Sequence, residues 1–585
     1  FDLNFFSFYK QLYYLKFFIK KIYFILFFLT IMLSNLEVLA NSSENKYTRH
    51  FISNYFSGVV FAEQNYNRKA LSHLEKIQSI KDKHSRFSSE YLRTLIILDK
   101  FKEAKDFAKH LSHDNEFFFE ADLILGLDLL LKQDYKKAEK HFKRLNRPSI
   151  YNLFYKDFFG NILLSWSKAS EGKKAESLEI FERIPDRYKQ LKKIQNSFLQ
   201  CYFDTNKTES IFRELIQDKE YNFSRYNFFL ANYFVHKNDL IKGKKVIEAS
   251  RKLDNSNLLL KQTEIFFKNK KEKKIKDVFN CKEPKDAIAE FFYIIANLYA
   301  SEQDYKLSNF YLKFSLFLNK SFLMNKTLLA ENYYYQEKYE LSKKIYDSLK
   351  TIGETYSWYA STSVASILLK TNDKEFSIKF LEKDFNSLSS PSFENYYELA
   401  NFYKDNEYFE KSINFYTLAL KNLPPGHPLI VKIFDRRGTS YERIGEWKKA
   451  EKDLLKSLEI LPEQAHVLNY LAYTWIDKGI NLDKGLKMLD KAMKLRVDDG
   501  YITDSIGWAY YLKKNYLEAE KYLQRAVELL PTDPTINDHY ADTLWMLNKN
   551  IQARYFWNYV LNLENIKVEL KDNIKKKLIF GIKKL

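Results

Sequence analysis

The chain has 585 residues with 14 Gly, 10 Pro, 17% aromatic residues and a formal net charge of +19. So few turn-forming residues leave little from which to build a sandwich or barrel, and the chain reads as almost wholly helical. The lysines are spread along the whole length among Asn, Ile, Phe and Tyr. That spread reads as the amino-acid bias of an AT-rich genome, with Lys as the default solvated surface residue, more than as a nucleic-acid surface.

Residues 1 to 40 read as an export signal. Lys10, Lys16, Lys20 and Lys21 precede the apolar run from Ile22 to Leu33, and Val38-Leu39-Ala40 offers a cleavage site. The twelve apolar residues are short for a membrane span, which needs about 20. No cysteine follows them to carry a lipid. Cleavage after Ala40 is expected, with an uncleaved signal anchor as the alternative; both put the rest of the chain outside the cytoplasm.

From residue 41 to about 285 a worn helical repeat is visible. Gly58, Phe61, Ala70 and Leu74 form one unit, Leu92, Leu95, Ala104 and Ala108 the next, and Gly126, Leu129, Ala138 and Phe142 a third, each 34 residues on. Trp166 with Ala175, and Ala231, Phe234, Gly243 and Ile247, mark looser units. Around Cys201 only a helical pair is legible. The run 268–276 (KNKKEKKIK) is the densest basic stretch; it reads as a solvated connector at a soft boundary.

The register then resumes at Ala296, Tyr299 and Ser308. It passes through Ala330, Tyr333 and Ser342, then Ala365, Leu368, Ser377 and Leu381, then Ala400, Tyr403, Ser412, Tyr416, Ala419 and Pro424. A proline-rich connector precedes Gly438, Tyr441, Ala450, Leu454 and Pro462. Ala472, Trp475, Gly485, Leu489 and Ala492 follow. The clearest unit is Ile502–Pro531, where Gly507, Ala519 and Ala526 alternate with Ile506, Tyr510 and Leu523 around the polar turn Lys513-Lys514-Asn515. Ala541, Leu544, Ala553 and Trp557 close the series. Residues 566–585 form a basic amphipathic helix that caps the last repeat.

A helix-turn-helix period of 34, with small-x2-aromatic, then Ala-x3-large, then Pro, resembles the tetratricopeptide repeat (TPR) family over residues 286–565. The resemblance implies an all-α superhelix, a right-handed α-α solenoid in which each unit touches its neighbours. On that premise Cys201 and Cys281, more than two periods apart, are expected to be unbonded. It also implies a concave groove lined by one stripe of each first helix, where partner segments bind. Carried over residue by residue, the stripe holds Asp435 and Thr439; Asn469 and Tyr473; Asp504, Trp508 and Tyr511; and Asp538, Asp542 and Trp545. The family's binders of carboxylate tails place Lys, Arg and Asn there. This stripe has no Lys or Arg, and its acidic and aromatic residues suit a basic-apolar peptide or helix.

No HExxH, phosphate-binding Gly-Lys loop, CxxC or nucleophile elbow occurs. The expectation is therefore a non-enzyme without metal or cofactor, binding other proteins and neither nucleic acid nor a small-molecule substrate. Membrane contact is expected only through an uncleaved N-terminal segment. The chain is similar to exported TPR proteins of Gram-negative bacteria, which implies a periplasmic scaffold of the cell envelope. A membrane-anchored regulatory subunit of a peptidoglycan enzyme and an RNA-binding helical repeat are the rival readings.

Overall fold

The computed structural model describes residues 48–80, 84–111, 118–147, 157–253, 257–371, 373–563 and 566–582. The expected signal at 1–40 lies outside them. All regular structure among the described residues is helical, and no helix there is long and apolar enough to cross a membrane. The chain divides at Pro185–Asp186 into two compact units.

In the first unit the helices pair as hairpins: Arg49–Glu63 with Asn67–Leu74, Ser85–Ile97 with Phe101–Leu111, Phe119–Leu131 with Tyr135–Arg144, and Phe159–Ser170 with Lys174–Glu182. The second unit holds the regular series. It runs from Pro284–Ser301 paired with Tyr305–Leu318 to Pro534–Met546 paired with Asn550–Leu561, and the Val568–Phe580 helix follows it.

Each hairpin closes on small residues. A Cβ on Gly507 would lie 2.5 Å from Leu523 Cγ, so the two helices approach to the limit that a missing side chain allows. Glycine costs a helix interior roughly 1 kcal/mol against alanine, and this contact is what offsets the loss. Ala519, Leu523 and Ala526 are fully buried around it. Where serine stands in the place of Ala519, its hydroxyl is satisfied across the same gap. Ser342 Oγ donates to the Ala330 carbonyl at 2.8 Å, and Ser377 Oγ to that of Ala365 at 2.6 Å.

The turn between paired helices repeats as faithfully. Asn65, Asp99 and Gln133, then Lys514 and Asn548, all adopt positive φ near 60° at equivalent positions. Between hairpins, Ile476, Leu489 and Ala492 share one apolar cluster with Ile502, Ile506 and Ala509 of the following repeat. Burial is thus completed by the neighbour.

Ala519→Leu should overpack the hairpin and lower stability by about 1–3 kcal/mol. Hydrogen exchange should place the loss in the 500–529 repeat and its neighbours.

The regularity breaks before Pro284. The Glu272–Val278 helix has 7 residues where the second helix of the next repeat, Tyr305–Leu318, has 14. Too short to continue the stack, it lets the chain turn back, and the Pro284–Ser301 helix packs on the Lys189–Tyr202 helix. This overturns the expectation for the cysteines. Cys201 and Cys281 are joined by a disulfide across 80 residues, with Cα atoms 5.9 Å apart. Neighbour-only contact fails here because the stack is not one-dimensional here.

The folded-back segment lies on first-helix positions that the repeat pattern assigns to the groove. Arg225 donates to both carboxylate oxygens of Glu290 and lies 4.7 Å from the Tyr293 ring centroid; Tyr226 donates to Glu290 at 2.9 Å. Tyr293 is the equivalent of Asp504. Farther along, the Leu258–Lys268 helix packs on the Glu354–Thr371 helix. Gln262 approaches so closely that a Cβ on Gly353 would meet its amide at 2.3 Å, and its Oε1 accepts from the Thr355 backbone N–H at 3.1 Å. Arg251 and Lys261 both lie 3.6 Å from Glu394. Between residues 284 and 405 the stripe is partly filled by the chain itself.

Reducing the disulfide frees a loop whose closure is worth about 2–5 kcal/mol. Cys201→Ser with Cys281→Ser should lower the unfolding free energy of the second unit by that order, read by urea melts under oxidising conditions.

Candidate partner-binding groove

The stripe residues sit on four successive first helices: Leu429–Arg443, Ala465–Asp477, Gly500–Leu512 and Pro534–Met546. Helical spacing of three or four residues keeps each set on one face. The structure divides these residues into two groups.

The last set is covered by the chain's own C-terminus. Lys577, on the Val568–Phe580 helix, reaches the carboxylates of Asp538 and Asp542 at 2.7 to 2.9 Å. Trp557 Nε1 also donates to Asp542 at 3.0 Å. The Trp545 indole N–H donates to the Ile582 carbonyl at 3.0 Å, and its ring lies 5.5 Å from that of Trp557. Asp538, Asp542 and Trp545 are therefore joined to the capping segment. The expectation of a stripe free of basic residues is corrected here: no lysine stands on the first helices, but one is delivered from the cap. Burial and the neighbouring Asp538 push the Asp542 carboxyl up to about 6, against the opposing pull of Lys577.

Asp504 is also engaged. It is buried, and His539 of the next first helix donates to it through Nδ1 at 3.0 Å. Asp435 makes the looser version of this link with the exposed His466, also at 3.0 Å. In the first unit Arg93 and Glu120 join successive first helices in a similar way at 2.6 Å. A charged pair between consecutive first helices thus stitches the stripe lengthwise.

Thr439, Asn469, Tyr473, Trp508 and Tyr511 are only partly buried. Trp508 is sandwiched between Tyr511, at 4.6 Å and 7° interplanar, and His539, at 4.0 Å and 14°. Its indole N–H is shielded from water and has no hydrogen-bond partner among the described residues; the same holds for the Asn469 side-chain carbonyl. Buried polar groups are nearly always paired, and these two are exceptions. Thr439 Oγ1 donates to the Arg436 carbonyl at 2.9 Å. Burial raises the Tyr473 hydroxyl above its ordinary range.

Sequence reasoning missed Lys577 and His539. Lys577 is one lysine among many in a basic helix, and His539 sits one residue off the assigned stripe. Both act between helices, so no spacing along one helix marks them.

No family model matches the chain. Over 165 residues it is 28% identical to a TPR repeat-containing protein of Pseudomonas aeruginosa, an alignment that takes in 28% of this chain and 27% of that one. Similar solved structures include a thermophilic TPR protein of Thermus thermophilus, with 16% identity, a TM-score of 0.29, 32% of this chain and 100% of that one. A second is a tetratricopeptide repeat protein from Parabacteroides merdae, with 18% identity, a TM-score of 0.32, 38% of this chain and 88% of that one. In class the chain is an all-α protein of repeated helical hairpins. The 34-residue register, its buried small residues and the likeness to the Pseudomonas protein mark the repeats as tetratricopeptide-like. Proteins of this kind generally act as protein-interaction scaffolds.

Burial pulls the His539 imidazole down, but Asp504, then Asp538 and Asp542, reverse this and hold it above its ordinary value of 6.5. A raised folded-state pKa contributes stability that is complete below the unfolded value and lost as pH rises through the folded one. The raised Asp542 acts in the same direction, but its contribution fades by about pH 6. Stability of the last two repeats should therefore fall as pH is raised from 6.5, and His539→Gln should flatten that fall. Urea melts across a pH series, with and without the substitution, check this.

Proposed function

We propose that the chain is a non-catalytic scaffold of the bacterial cell envelope that binds basic-apolar partner segments along the open stripe between Thr439 and Tyr511. The observation that carries this reading is the Trp508 site. There a stacked aromatic anchor with an unpaired indole N–H stands on the first helix packed next to the one that carries Asn469 and Tyr473. Tryptophan and tyrosine dominate interface hot spots because they bring large area at little entropy cost. The docking of Lys577 on Asp538 and Asp542 gives an internal precedent for the partner chemistry, a basic helix with apolar flanks on an acidic stripe.

Two features support the envelope. Residues 1–40 carry the pattern of an export signal, and a buried disulfide belongs to proteins that mature in oxidising compartments. No Lys or Arg stands at the assigned stripe positions to meet an RNA backbone.

The test is affinity for a partner purified from envelope extract. Trp508→Ala should weaken it by about 2 kcal/mol or more, and Tyr473→Ala should weaken it as well, with unchanged circular dichroism. A folded Trp508→Ala protein that binds like wild type would move the site elsewhere.

A further inference from the structure

The Leu258–Lys268 helix does not fill the stripe completely. Between it, the Glu354–Thr371 helix and the Phe393–Asp405 helix remains a cavity of about 170 Å³. Its wall includes Lys261, Glu354, Thr355, Trp358, Tyr359 and Glu398.

One buried polar group in this wall is not satisfied from within. Thr355 is 7% exposed, and its Oγ1 has no hydrogen-bond partner among the described residues, although its backbone N–H is held by Gln262. A buried hydroxyl left unpaired costs free energy, and this one lines the cavity. Glu398 accepts the Trp358 indole N–H, and Glu354 accepts Ser389 Oγ at 3.2 Å. Neither carboxylate makes a salt bridge among the described residues; Lys261 sits at 3.6 Å from Glu394 and acts on Glu398 only at longer range. Glu398 stays open to solvent, which gives the cavity an entrance.

We propose that this cavity binds an alkylammonium or guanidinium group. Such a group supplies what the wall lacks. Its N–H donors can reach the Glu398 and Glu354 carboxylates as charge-assisted hydrogen bonds. They can also reach Thr355 Oγ1, and the positive charge lies beside the Trp358 and Tyr359 rings, which attract cations. An anion would meet two carboxylates, and Lys261, the cation in the same wall, is drawn to Glu394. The cation arrives either on a Lys or Arg side chain of a partner segment or as a free amine. The first source rests on the scaffold reading above; the second does not.

Calorimetry on the full, oxidised chain tests this with four probes: cadaverine, acetyl-Leu-Lys-Phe-amide, the same peptide with norleucine for lysine, and glutarate. One amine-bearing probe should saturate a single site, while glutarate and the norleucine peptide should not. Tighter binding of the lysine peptide than of cadaverine assigns the site to a partner's side chain; the reverse assigns it to a free amine. Glu398→Gln should weaken binding at least about tenfold, as expected for loss of a charge-assisted hydrogen bond, and Thr355→Val should weaken it less. In the unsubstituted protein the Trp358 indole N–H resonance should shift on titration, which keeps the test valid if a variant fails to fold. In Trp508→Ala the probe-induced shift of the Trp358 indole N–H should persist, so failure of the open stripe and failure of this cavity are told apart. The proposal is overturned if neither amine probe binds, if the norleucine peptide binds as tightly as the lysine peptide, or if folded Glu398→Gln binds like wild type.

Discussion

Everything regular in this chain depends on one steric constraint, that two helices of a hairpin can touch only where a side chain is missing or small. Gly507 against Leu523, with Ala519 and Ala526 beside them, is the clearest case. The constraint is local, and it leaves each hairpin with an apolar face that it cannot bury alone. Stacking on the next hairpin follows, and so does the need for a cap after the last. The Val568–Phe580 helix meets that need with one fully buried side chain, Ile574, and with Lys577 on two aspartates.

The same stacking brings first helices side by side, and there polar residues take over. His539 on Asp504, His466 on Asp435 and Lys577 on Asp538 and Asp542 each join one first helix to the helix packed after it. Such pairs are costly to bury and costly to break once buried, so they fix the spacing of the stripe while removing acidic groups from it. What stays open is mainly aromatic and amide: Tyr473, Trp508, Tyr511 and Asn469. The surface left open is thus the remainder after the repeats have used the stripe to hold one another.

The hairpin pattern was legible in the sequence because its signals are small residues at fixed spacing, and a missing side chain has no substitute. The polar turn at Lys513-Lys514-Asn515 was legible for a similar reason, since the chain must pass through positive φ at Lys514. The pairing of Cys201 with Cys281 was not. It follows from the short Glu272–Val278 helix and the fold-back before Pro284, and in the sequence that region shows only as a loss of register. Of the stripe, the positions were legible and their occupancy was not. Asp538 and Asp542 lie where the pattern puts groove residues, but which lysine meets them is decided by the three-dimensional course of the cap.

The chain partly fills its own stripe between residues 284 and 405 and leaves it open between Thr439 and Tyr511. Hydrogen exchange of the oxidised protein, read by mass spectrometry over the Leu258–Lys268 helix, addresses this most directly. If that helix is seated on the Glu354–Thr371 helix, the amides of both should exchange slowly and in step, because neither opens without the other. Rapid exchange of Leu258–Lys268 while Glu354–Thr371 stays protected would mean that the helix is not seated and that the middle stripe is as open as the terminal one.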